Sequence, residues 1–346
     1  MFSKRVFVLL FLILFLSSCN PVTTGVESET YPSRSITGVI PFGPGGGADS
    51  IARVISQHTE PILGESIVLQ NVEGGAGSIA AYDVHKDPAN GYKILFGAEN
   101  PNLYRTTGIS DLSYHDYEPI MLFARTVPVV IVHPDSPFQT LDDLIEQAEA
   151  DPGKILMATT GPVGTSGVVT SMLGLDFAMV PYKGEGASIT GLMGKQIEAS
   201  IVSLPSAYNY ILANKVRVLG IVNDTRLEDF GDWPALGEVA PDYLEHLPWG
   251  AYYGAYVKKG TPEPIIEELR DSFTQAFHTD EFQSFIERSK MIPLGLTGDE
   301  ALAYQTEWES RTNWFLYQSG FAEHPSNYNI PIPRNETQKE RKNPFD

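Results

Sequence analysis

Residues 40–53 of the chain read IPFGPGGGADSIAR. The apolar run before them, residues 36–40, predicts a buried strand. Apolar residues then recur at helical spacing, at Ile51, Val54, Ile55 and Ile62. Four of the five residues 43–47 are glycines, which let backbone amides approach a ligand closely. A helix that begins at such a loop presents unpaired N–H groups and its positive dipole end, so the stretch favours binding of an anion.

Nucleotide-binding motifs do not account for this loop. A phosphate-binding P-loop would close with Gly-Lys-Ser/Thr, whereas Gly47 is followed by Ala48 and Asp49. Gly43, Gly45 and Ala48 do fit the dinucleotide pattern G-x-G-x-x-A, but this pattern is weak evidence when it stands alone. We interpret Asp49 as an ordinary first-turn carboxylate that the helix dipole favours, rather than as a ligand contact.

The N-terminus predicts export. Lys4 and Arg5 precede a short apolar run at residues 6–16, which together indicate a signal peptide over residues 1–18. The run ends in Leu-Ser-Ser-Cys19, which looks like a bacterial lipobox; the alternative is a plain signal peptide with an incidental cysteine. Because Cys19 is the only cysteine, disulfides and thiolate metal sites are excluded from the folded body. We expect lipidation at Cys19 and an anchored protein on the periplasmic or extracellular face of a bacterial membrane.

Composition excludes several other classes of function. The formal net charge of −19 argues against nucleic acid or anionic lipid as partners, so the membrane is expected to be contacted only through the lipid anchor. The seven histidines are scattered without metal-ligand spacing, and no pair of carboxylates has the spacing of an acid/base couple. A nucleophile elbow at residues 164–168 fails because Val168 stands where the motif needs glycine. We therefore expect no catalytic residue, no metal and no cofactor.

The pattern of apolar runs indicates two lobes of α/β structure. Polar residues 19–33 resemble a linker, and residues 321–346 are rich in Pro, Asn and charge and resemble a loose tail. The body between them has about 290 residues, which is more than usually folds around a single hydrophobic core. Alternation of short apolar runs with amphipathic stretches favours mainly parallel sheets. Strands are predicted at 36–40, 66–69, 92–97, 127–132, 155–159, 177–181, 197–202 and 216–222, and helices at 79–85, 264–278, 280–289 and 297–317. Residues 249–257 form a long apolar stretch that could carry the chain back to the first lobe.

Most of these strands end in glycine-rich or small polar loops. The loops occupy residues 71–78, 98–101, 160–167, 182–186 and 203–206. Ligands of open α/β sheets bind at the carboxyl ends of strands, so we expect the loops to converge on one place. Two helix N-termini that face each other across a cleft could hold one carboxylate without Arg or Lys.

Several motifs carry a specific resemblance over about residues 36 to 317. They are Pro41-Phe42-Gly43-Pro44-Gly45-Gly46 with Asp49 and Ala52-Arg53, Asn71 with Gly75-Ala76-Gly77, Asp87-Pro88 with Asn90-Gly91-Tyr92, Pro152-Gly153-Lys154, Val180-Pro181-Tyr182-Lys183-Gly184, Leu204-Pro205-Ser206-Ala207, Trp249, and Gly260-Thr261-Pro262. With these motifs in this order, the chain resembles the Bug-type extracytoplasmic solute receptors of tripartite tricarboxylate transporters.

The resemblance implies a two-lobed fold of the type II periplasmic-binding-protein kind, with the ligand cleft between the lobes. Lobe 1 would comprise residues 34–129 and 250–320, and lobe 2 residues 130–249. The ligand would be a small carboxylate, either a di- or tricarboxylate or a related organic or amino acid, delivered by a monomeric receptor to membrane permease subunits. Carried over by position, its neighbours would be Phe42, Gly45, Gly46, Ala76, Gly77, Asn100, Thr165, Ser166 and Ser203.

Two positions depart from the family pattern. Ser203 places a hydroxyl at a position where many members of the family it resembles have Asp. Glu99 places a carboxylate where small polar residues are usual. We hypothesise that Glu99 meets a ligand amine or hydroxyl; the alternative is that it points to solvent. A second class of function also stays open, a secreted α/β hydrolase-like enzyme that acts on a small acid or ester. Turnover of any ligand found in a binding screen would favour that enzyme.

Overall fold

Two β-sheets form the framework of the protein, and the computed structural model describes residues 31–227 and 229–333. The first sheet contains β1 (Ile36–Ile40), β2 (Ile67–Asn71), β3 (Lys93–Ala98), β4 (Tyr117–Arg125), β10 (Tyr252–Lys258) and β11 (Ile292–Leu296), in the order β11-β4-β10-β3-β1-β2. The second contains β5 (Pro128–Val132), β6 (Leu156–Thr159), β7 (Ala178–Pro181), β8 (Ala199–Ser203) and β9 (Arg217–Ile221), in the order β7-β6-β8-β5-β9.

Helices connect these strands and cover the sheets. They are α1 (Gly47–Leu63), α2 (Ser78–His85), α3 (Leu141–Ala150), α4 (Thr165–Leu173), α5 (Glu185–Met193), α6 (Leu204–Leu212), α7 (Leu236–Val239), α8 (Glu263–Phe277), α9 (Asp280–Arg288) and α10 (Gly298–Gln318). Helix α1 begins after the glycine-rich loop, as predicted, and ends at Gly64, whose φ of 75° closes the helix with a left-handed residue. Its apolar stripe, which includes Ile51 and Ile55, is buried.

The architecture is α/β as predicted, but both sheets are mixed. Strand β1 pairs in parallel with β2 and β3, and β6 pairs in parallel with β7 and β8. However, β10 lies antiparallel between β3 and β4, and β5 lies antiparallel between β8 and β9. The expectation of mainly parallel sheets therefore holds only for the βα units.

Strands β4 and β11 were absent from the sequence-based prediction. Each contains a proline, Pro119 in β4 and Pro293 in β11, and proline normally argues against a strand. Strand β11 lies at the edge of the sheet and pairs only with residues 122–125 of β4. Pro119 therefore lies beyond the reach of β11, so its missing N–H interrupts no ladder on that side.

A cluster of phenylalanines anchors the core of the first sheet. The rings of Phe96, Phe123 and Phe273 pack with centroid separations of 5.9 to 6.4 Å. Each ring is at most 2% exposed. Burial of one such side chain stabilises a fold by about 1.5–3 kcal/mol, so α8, which carries Phe273, is fastened to the sheet mainly by apolar packing.

The chain crosses between the sheets twice, from β4 to β5 and from β9 to β10, and the two crossing segments are in contact. The Thr126 amide donates to the Ala251 carbonyl at 2.7 Å, and a Cβ atom at Gly250 would overlap the Thr126 carbonyl oxygen. Helix α10 bridges the same region, because the Trp308 indole donates to the Gly250 carbonyl at 3.0 Å while the Ser319 hydroxyl donates to the Ser171 carbonyl at 3.0 Å. The two crossings and α10 thus contribute to the packing between the sheets.

The terminal segments differ in part from expectation. The prediction of a loose tail is wrong for residues 321–333, because the Ser310 hydroxyl and the Trp314 indole both donate to the Pro331 carbonyl, at 2.7 and 2.8 Å. Tyr31, assigned to the linker, donates to the Gly91 carbonyl at 2.7 Å. The predicted signal peptide, Cys19 and residues 334–346 lie outside the described residues. Within the described part of the chain, no helix is both long enough and apolar enough to cross a membrane.

Candidate ligand-binding site

Asp49 organises the loop between β1 and α1. Its carboxylate accepts hydrogen bonds from the Gly45 amide at 2.9 Å, from Arg53 at 2.7 and 3.0 Å, and from the Asn71 side-chain amide at 2.8 Å. Asn71 also donates to the Phe42 carbonyl at 2.8 Å. Although burial alone would raise it, the pKa of Asp49 falls to about 2 because these hydrogen bonds stabilise the charged form. The residue is therefore more than a first-turn carboxylate, since it fixes the shape of the glycine-rich loop.

This network decides which amides of the loop remain available. The Gly45 amide donates to Asp49 and is therefore occupied within the loop, while the placement of Gly45 beside a ligand stays a prediction. Gly46 is the N-cap of α1, is exposed and supplies no side-chain cap. The first hydrogen bond into the helix is made by the Ser50 amide to the Gly46 carbonyl at 2.9 Å. Among the described residues, the amides of Gly46, Gly47 and Ala48 have no partner, which leaves them free for an anion.

The second glycine-rich loop packs beside the first. A Cβ atom at Gly77 would lie 2.9 Å from Pro41 Cβ and 3.7 Å from the Phe42 ring. The Ala76 carbonyl accepts a hydrogen bond from the Tyr104 hydroxyl at 2.9 Å. Three predicted site residues, Phe42, Ala76 and Gly77, are therefore close neighbours in the structure.

Glu99 and Asn100 directly follow β3. Glu99 is only 4% exposed, so the alternative that it points to solvent is wrong. Its Oε2 atom has no hydrogen-bond partner among the described residues. Burial, reinforced by repulsion from Glu185, raises the pKa of the Glu99 carboxyl to about 8. Asn100 is 7% exposed and lies next to it in a short 3₁₀ turn.

Thr165 and Ser166 begin α4 at the corresponding edge of the second sheet. The N-cap of this helix is Gly164, which again supplies no side-chain cap. The Ser166 hydroxyl accepts a hydrogen bond from the Thr160 amide at 2.9 Å and lies 3.3 Å from the Thr160 hydroxyl. Ser166 therefore shapes its own loop. No hydrogen bond within the described part of the chain ties Thr165 or Ser166 to the first sheet.

Ser203 ends β8 and is bound by Glu185, which begins α5. The Ser203 amide donates to Glu185 Oε1 at 3.0 Å, and its hydroxyl donates to Oε2 at 2.5 Å. The Ser206 hydroxyl lies 3.0 Å from the Ser203 hydroxyl. Although position 203 carries a hydroxyl, a carboxylate is still present beside it, because Glu185 supplies one from the neighbouring loop.

Burial raises the pKa values of both the Glu99 carboxyl and the Tyr253 hydroxyl, and repulsion from Glu185 adds to each rise. Tyr253 belongs to β10, and a Cβ atom at Gly47 would overlap its hydroxyl. The Tyr253 hydroxyl therefore lies at the start of α1, and the pairing of Tyr253 with Ala98 sets it beside the end of β3, which Glu99 follows. These contacts bring together the loop that begins α1 and the loop after β3, while the hydrogen bonds between Ser203 and Glu185 join the loops at residues 182–186 and 203–206.

The family model for the receptor of the tripartite tricarboxylate transporter family matches residues 51–311. The chain belongs to this receptor family. A UPF0065 protein from the tcbD–tcbE intergenic region of Pseudomonas sp. strain P51 is 32% identical over 263 residues, which cover 73% of this chain and 77% of that protein. The family predicted from the sequence motifs is confirmed, and with it the role of a solute-binding receptor.

Solved structures show the same fold. A periplasmic transporter structure is similar to the receptor with a TM-score of 0.71 and 29% identity, covering 82% of this chain and 96% of the other. The structure of R. palustris Rpa4515 with adipate has a TM-score of 0.75 and 24% identity, covering 85% and 100% of the two chains. The predicted two-lobed, periplasmic-binding-protein-like fold is thereby confirmed.

Sequence reasoning missed two residues near the candidate site, Glu185 and Tyr253. Glu185 lies in a strand-end loop that was expected to reach the cleft, so its position in that loop was a usable signal. Tyr253 belongs to a strand from the later part of the chain, and only the pairing of β10 with β3 brings it to Glu99. Within residues 31–227 and 229–333, no group of three or more His, Cys, Asp or Glu side chains has a metal-binding arrangement.

Proposed function

We propose that the receptor captures a small carboxylate in the site between its two sheets and delivers it to membrane permease subunits. The observation that carries this proposal is the pair of glycine-capped helix N-termini, at Gly46 after β1 and at Gly164 after β6. Each helix N-terminus carries roughly half a positive charge, which attracts a carboxylate. The adipate held by Rpa4515, a protein of the same fold, is consistent with such a ligand.

We propose further that lobe 1 comprises residues 34–129 and 250–320, that lobe 2 comprises residues 130–249, and that the two close on the ligand as a monomer. Ligand contacts to both lobes would favour the closed form, since a ligand shifts an equilibrium by its differential affinity. The lipobox-like sequence that ends at Cys19 supports an exported protein that is anchored by an acylated cysteine.

Binding without turnover fits the site better than hydrolysis. The candidate for a nucleophile in the sequence motifs was Ser166, and its side chain is buried. In the structure the neighbours of the Ser166 hydroxyl are the amide and hydroxyl of Thr160, neither of which acts as a general base. We therefore propose a receptor rather than a hydrolase-like enzyme.

Substitution of Gly46 tests the proposal. Gly46 has a φ of −78°, and a Cβ atom there would meet only the Gly43 carbonyl oxygen, at 3.6 Å, so other residues fit. Both Gly46→Asp and Gly46→Asn introduce a good N-cap side chain, but only Asp adds a charge. At a separation of about 5 Å and an effective dielectric constant of about 20, Coulomb's law gives about 3 kcal/mol of repulsion with a bound carboxylate.

The measurement is a thermal-shift and calorimetric screen of di- and tricarboxylates and amino acids, repeated with both variants. We expect at least one acid to bind the wild type, and we expect Gly46→Asp to weaken it at least about 10-fold more than Gly46→Asn does. Equal affinities for the two variants would show that the anion does not lie at the start of α1. Chemical conversion of the bound acid would contradict the receptor role.

A further inference from the structure

The loop after β3 depends on distant residues for its shape. Residues 100–102 form a short 3₁₀ turn, in which the Asn102 amide donates to the Glu99 carbonyl at 3.1 Å and the Leu103 amide donates to the Asn100 carbonyl at 2.9 Å. Glu99, the N-cap of this turn, supplies no side-chain cap. A single short turn is marginally stable when it stands alone, so contacts from elsewhere must fix its conformation.

Asn100 is the residue that this turn presents to the candidate site. Its side chain is buried, yet the side-chain amide makes no hydrogen bond with any described residue. Buried amides are normally hydrogen-bonded, and the sequence motifs place Asn100 beside the ligand. The amide is therefore available to a ligand, and the direction in which it points is set by the turn that carries it.

Two residues from distant parts of the chain hold the turn at Asn102. The Asn102 side-chain amide donates to the Tyr252 hydroxyl on β10 at 2.6 Å. The Asn102 carbonyl accepts a hydrogen bond from the Asn313 side-chain amide on α10 at 3.0 Å. All three residues are buried, so water cannot replace a lost partner, and both hydrogen bonds are costly to break.

Tyr252 and Asn313 are themselves fixed by further contacts. The side-chain oxygen of Asn313 accepts a hydrogen bond from the Thr106 hydroxyl. The Tyr252 hydroxyl also accepts from the Gln305 side-chain amide at 3.3 Å, and its ring packs against Trp308 with centroids 5.7 Å apart. The turn is thus attached to β10 and α10 through side chains that have little freedom to move.

The second glycine-rich loop is attached to the same segment. Tyr104, two residues after Asn102, is buried and donates through its hydroxyl to the Ala76 carbonyl at 2.9 Å. Ala76 has a φ of 52°, a left-handed conformation that a residue with a Cβ adopts only when its surroundings support it. A displacement of the turn at Asn102 would therefore also disturb the loop that contains Ala76.

We propose that Tyr252 and Asn313 are positioning residues of the ligand site, which hold Asn102 so that the Asn100 amide faces the ligand. Their role is indirect, because both contact Asn102 rather than the Asn100 amide. The inference rests on the proposed function, since it concerns the affinity of that same site. A preorganised site loses less freedom on binding, so release of Asn102 weakens binding without removing a ligand contact.

Strand β10 offers a matched comparison that separates positioning from stability. The Tyr256 hydroxyl is buried like that of Tyr252 and accepts from the same Gln305 amide, at 3.2 Å. Within the described part of the chain, however, it makes no hydrogen bond with residues 99–103. Tyr252→Phe and Tyr256→Phe each remove one buried hydroxyl from the same strand, but only Tyr252→Phe leaves the Asn102 amide without its acceptor.

Adjacent residues of α10 offer a second comparison. Thr312 and Asn313 are both completely buried, and the Thr312 hydroxyl accepts a hydrogen bond from the Trp249 indole at 3.1 Å. Asn313→Ala removes the donor to the Asn102 carbonyl, whereas Thr312→Ala removes the acceptor of an indole outside the predicted ligand loops. If one variant of the first pair does not fold, the second pair still decides the question.

The experiment compares the full-length receptor with these four variants. Isothermal titration calorimetry measures the binding of succinate, adipate, citrate and aspartate, and thermal unfolding measures stability. Hydrogen exchange of the ligand-free protein reports on the turn directly, because the amides of Asn102 and Leu103 donate within it.

We expect dissociation constants at least about 5-fold larger than those of wild type in Tyr252→Phe and Asn313→Ala, but within about 2-fold of wild type in Tyr256→Phe and Thr312→Ala. Hydrogen exchange at residues 99–104 should be faster only in the first two variants, and a saturating acid should restore the protection. Melting temperatures should fall by similar amounts within each pair, because each member loses one buried hydrogen-bonding group.

Equal affinities within both pairs would overturn the inference and leave the proposed function standing, since the two residues would then contribute to stability alone. Weaker binding without faster exchange in the turn would also overturn it. Failure of every acid to bind the wild type would overturn the proposed function and this inference together.

Discussion

Replacement of Asp49 by asparagine should reveal how strongly one charge holds the glycine-rich loop. The Asp49 side chain is 5% exposed and accepts hydrogen bonds from Gly45, Arg53 and Asn71. Asparagine has the same shape, but its NH₂ group would replace one of the two carboxylate oxygens. An NH₂ group cannot accept hydrogen bonds from the donors that now contact that oxygen. At least one of these donors would then be left unpaired, and the charge that aligns Arg53 would be gone.

The pKa of Asp49 sets the expected magnitude. Its fall from an ordinary value of 3.8 to about 2 corresponds to about 2 kcal/mol of folding free energy, at about 1.4 kcal/mol for each factor of ten. Because the folded-state value is the lower one, this stabilisation is fully present above about pH 4 and is lost as the pH falls towards 2. For a protein of this size, about 2 kcal/mol corresponds to a melting temperature lower by about 4 °C.

The assay is thermal unfolding of wild type and variant from pH 7 to pH 2.5. Wild type should lose stability steeply below pH 4, whereas Asp49→Asn should start about 4 °C lower and lack this component of the loss. Asp143→Asn is the comparison variant, since Asp143 holds the same third position of helix α3 but is half-buried and accepts its hydrogen bonds from the amides of Gln139 and Thr140. If both variants lose equal stability, or if Asp49→Asn keeps the acid-dependent loss, Asp49 acts only as a helix-start residue and the reasoning is refuted.

Two further predictions concern how the fold is held together. Gly250→Ala would force a methyl group into the Thr126 carbonyl oxygen where the two crossings meet, so we expect a melting temperature lower by at least about 5 °C. Gly186→Ala is the control; its methyl group would meet no neighbouring atom, and we expect the melting temperature to change by less than about 1 °C. Phe273→Ala should destabilise the fold by about 3–5 kcal/mol in urea unfolding because its ring is completely buried, whereas Leu302→Ala, at a side chain that is 42% exposed, should cost less than about 1 kcal/mol. A similar cost for Phe273→Ala and Leu302→Ala would show that the phenylalanine cluster does not anchor α8.

Local chemistry made much of the fold readable from the sequence. The βα units were predicted to within a few residues, because each joins an apolar strand to an amphipathic helix through a glycine-rich loop. The strand at 36–40 and the start of α1 illustrate this, since both depend on residues adjacent in the chain. The same loops carry the motifs that identified the receptor family, because backbone amides that must approach a ligand tolerate few side chains.

The antiparallel strands were harder to predict from the sequence. Strands β4 and β11 contain prolines, and their places in the sheet depend on neighbours that are distant in sequence. Pro119 is tolerated because β11 ends before reaching it, a fact that no local pattern records. The same applies to residues 321–333, whose polar composition indicated a loose tail although the Pro331 carbonyl accepts two hydrogen bonds from α10.

Long-range pairing also determined the chemistry of the site. The sequence placed Glu99, Glu185 and Ser203 in loops that follow predicted strands. The raised pKa of Glu99 depends on its burial, and the hydrogen bonds between Ser203 and Glu185 depend on the position of β8, both of which arise only when the sheets are assembled. Local sequence therefore specifies the glycine-capped helix ends, whereas the burial of Glu99 and its position beside β10 are properties of the packed sheet, because β3 and β10 lie far apart in the sequence.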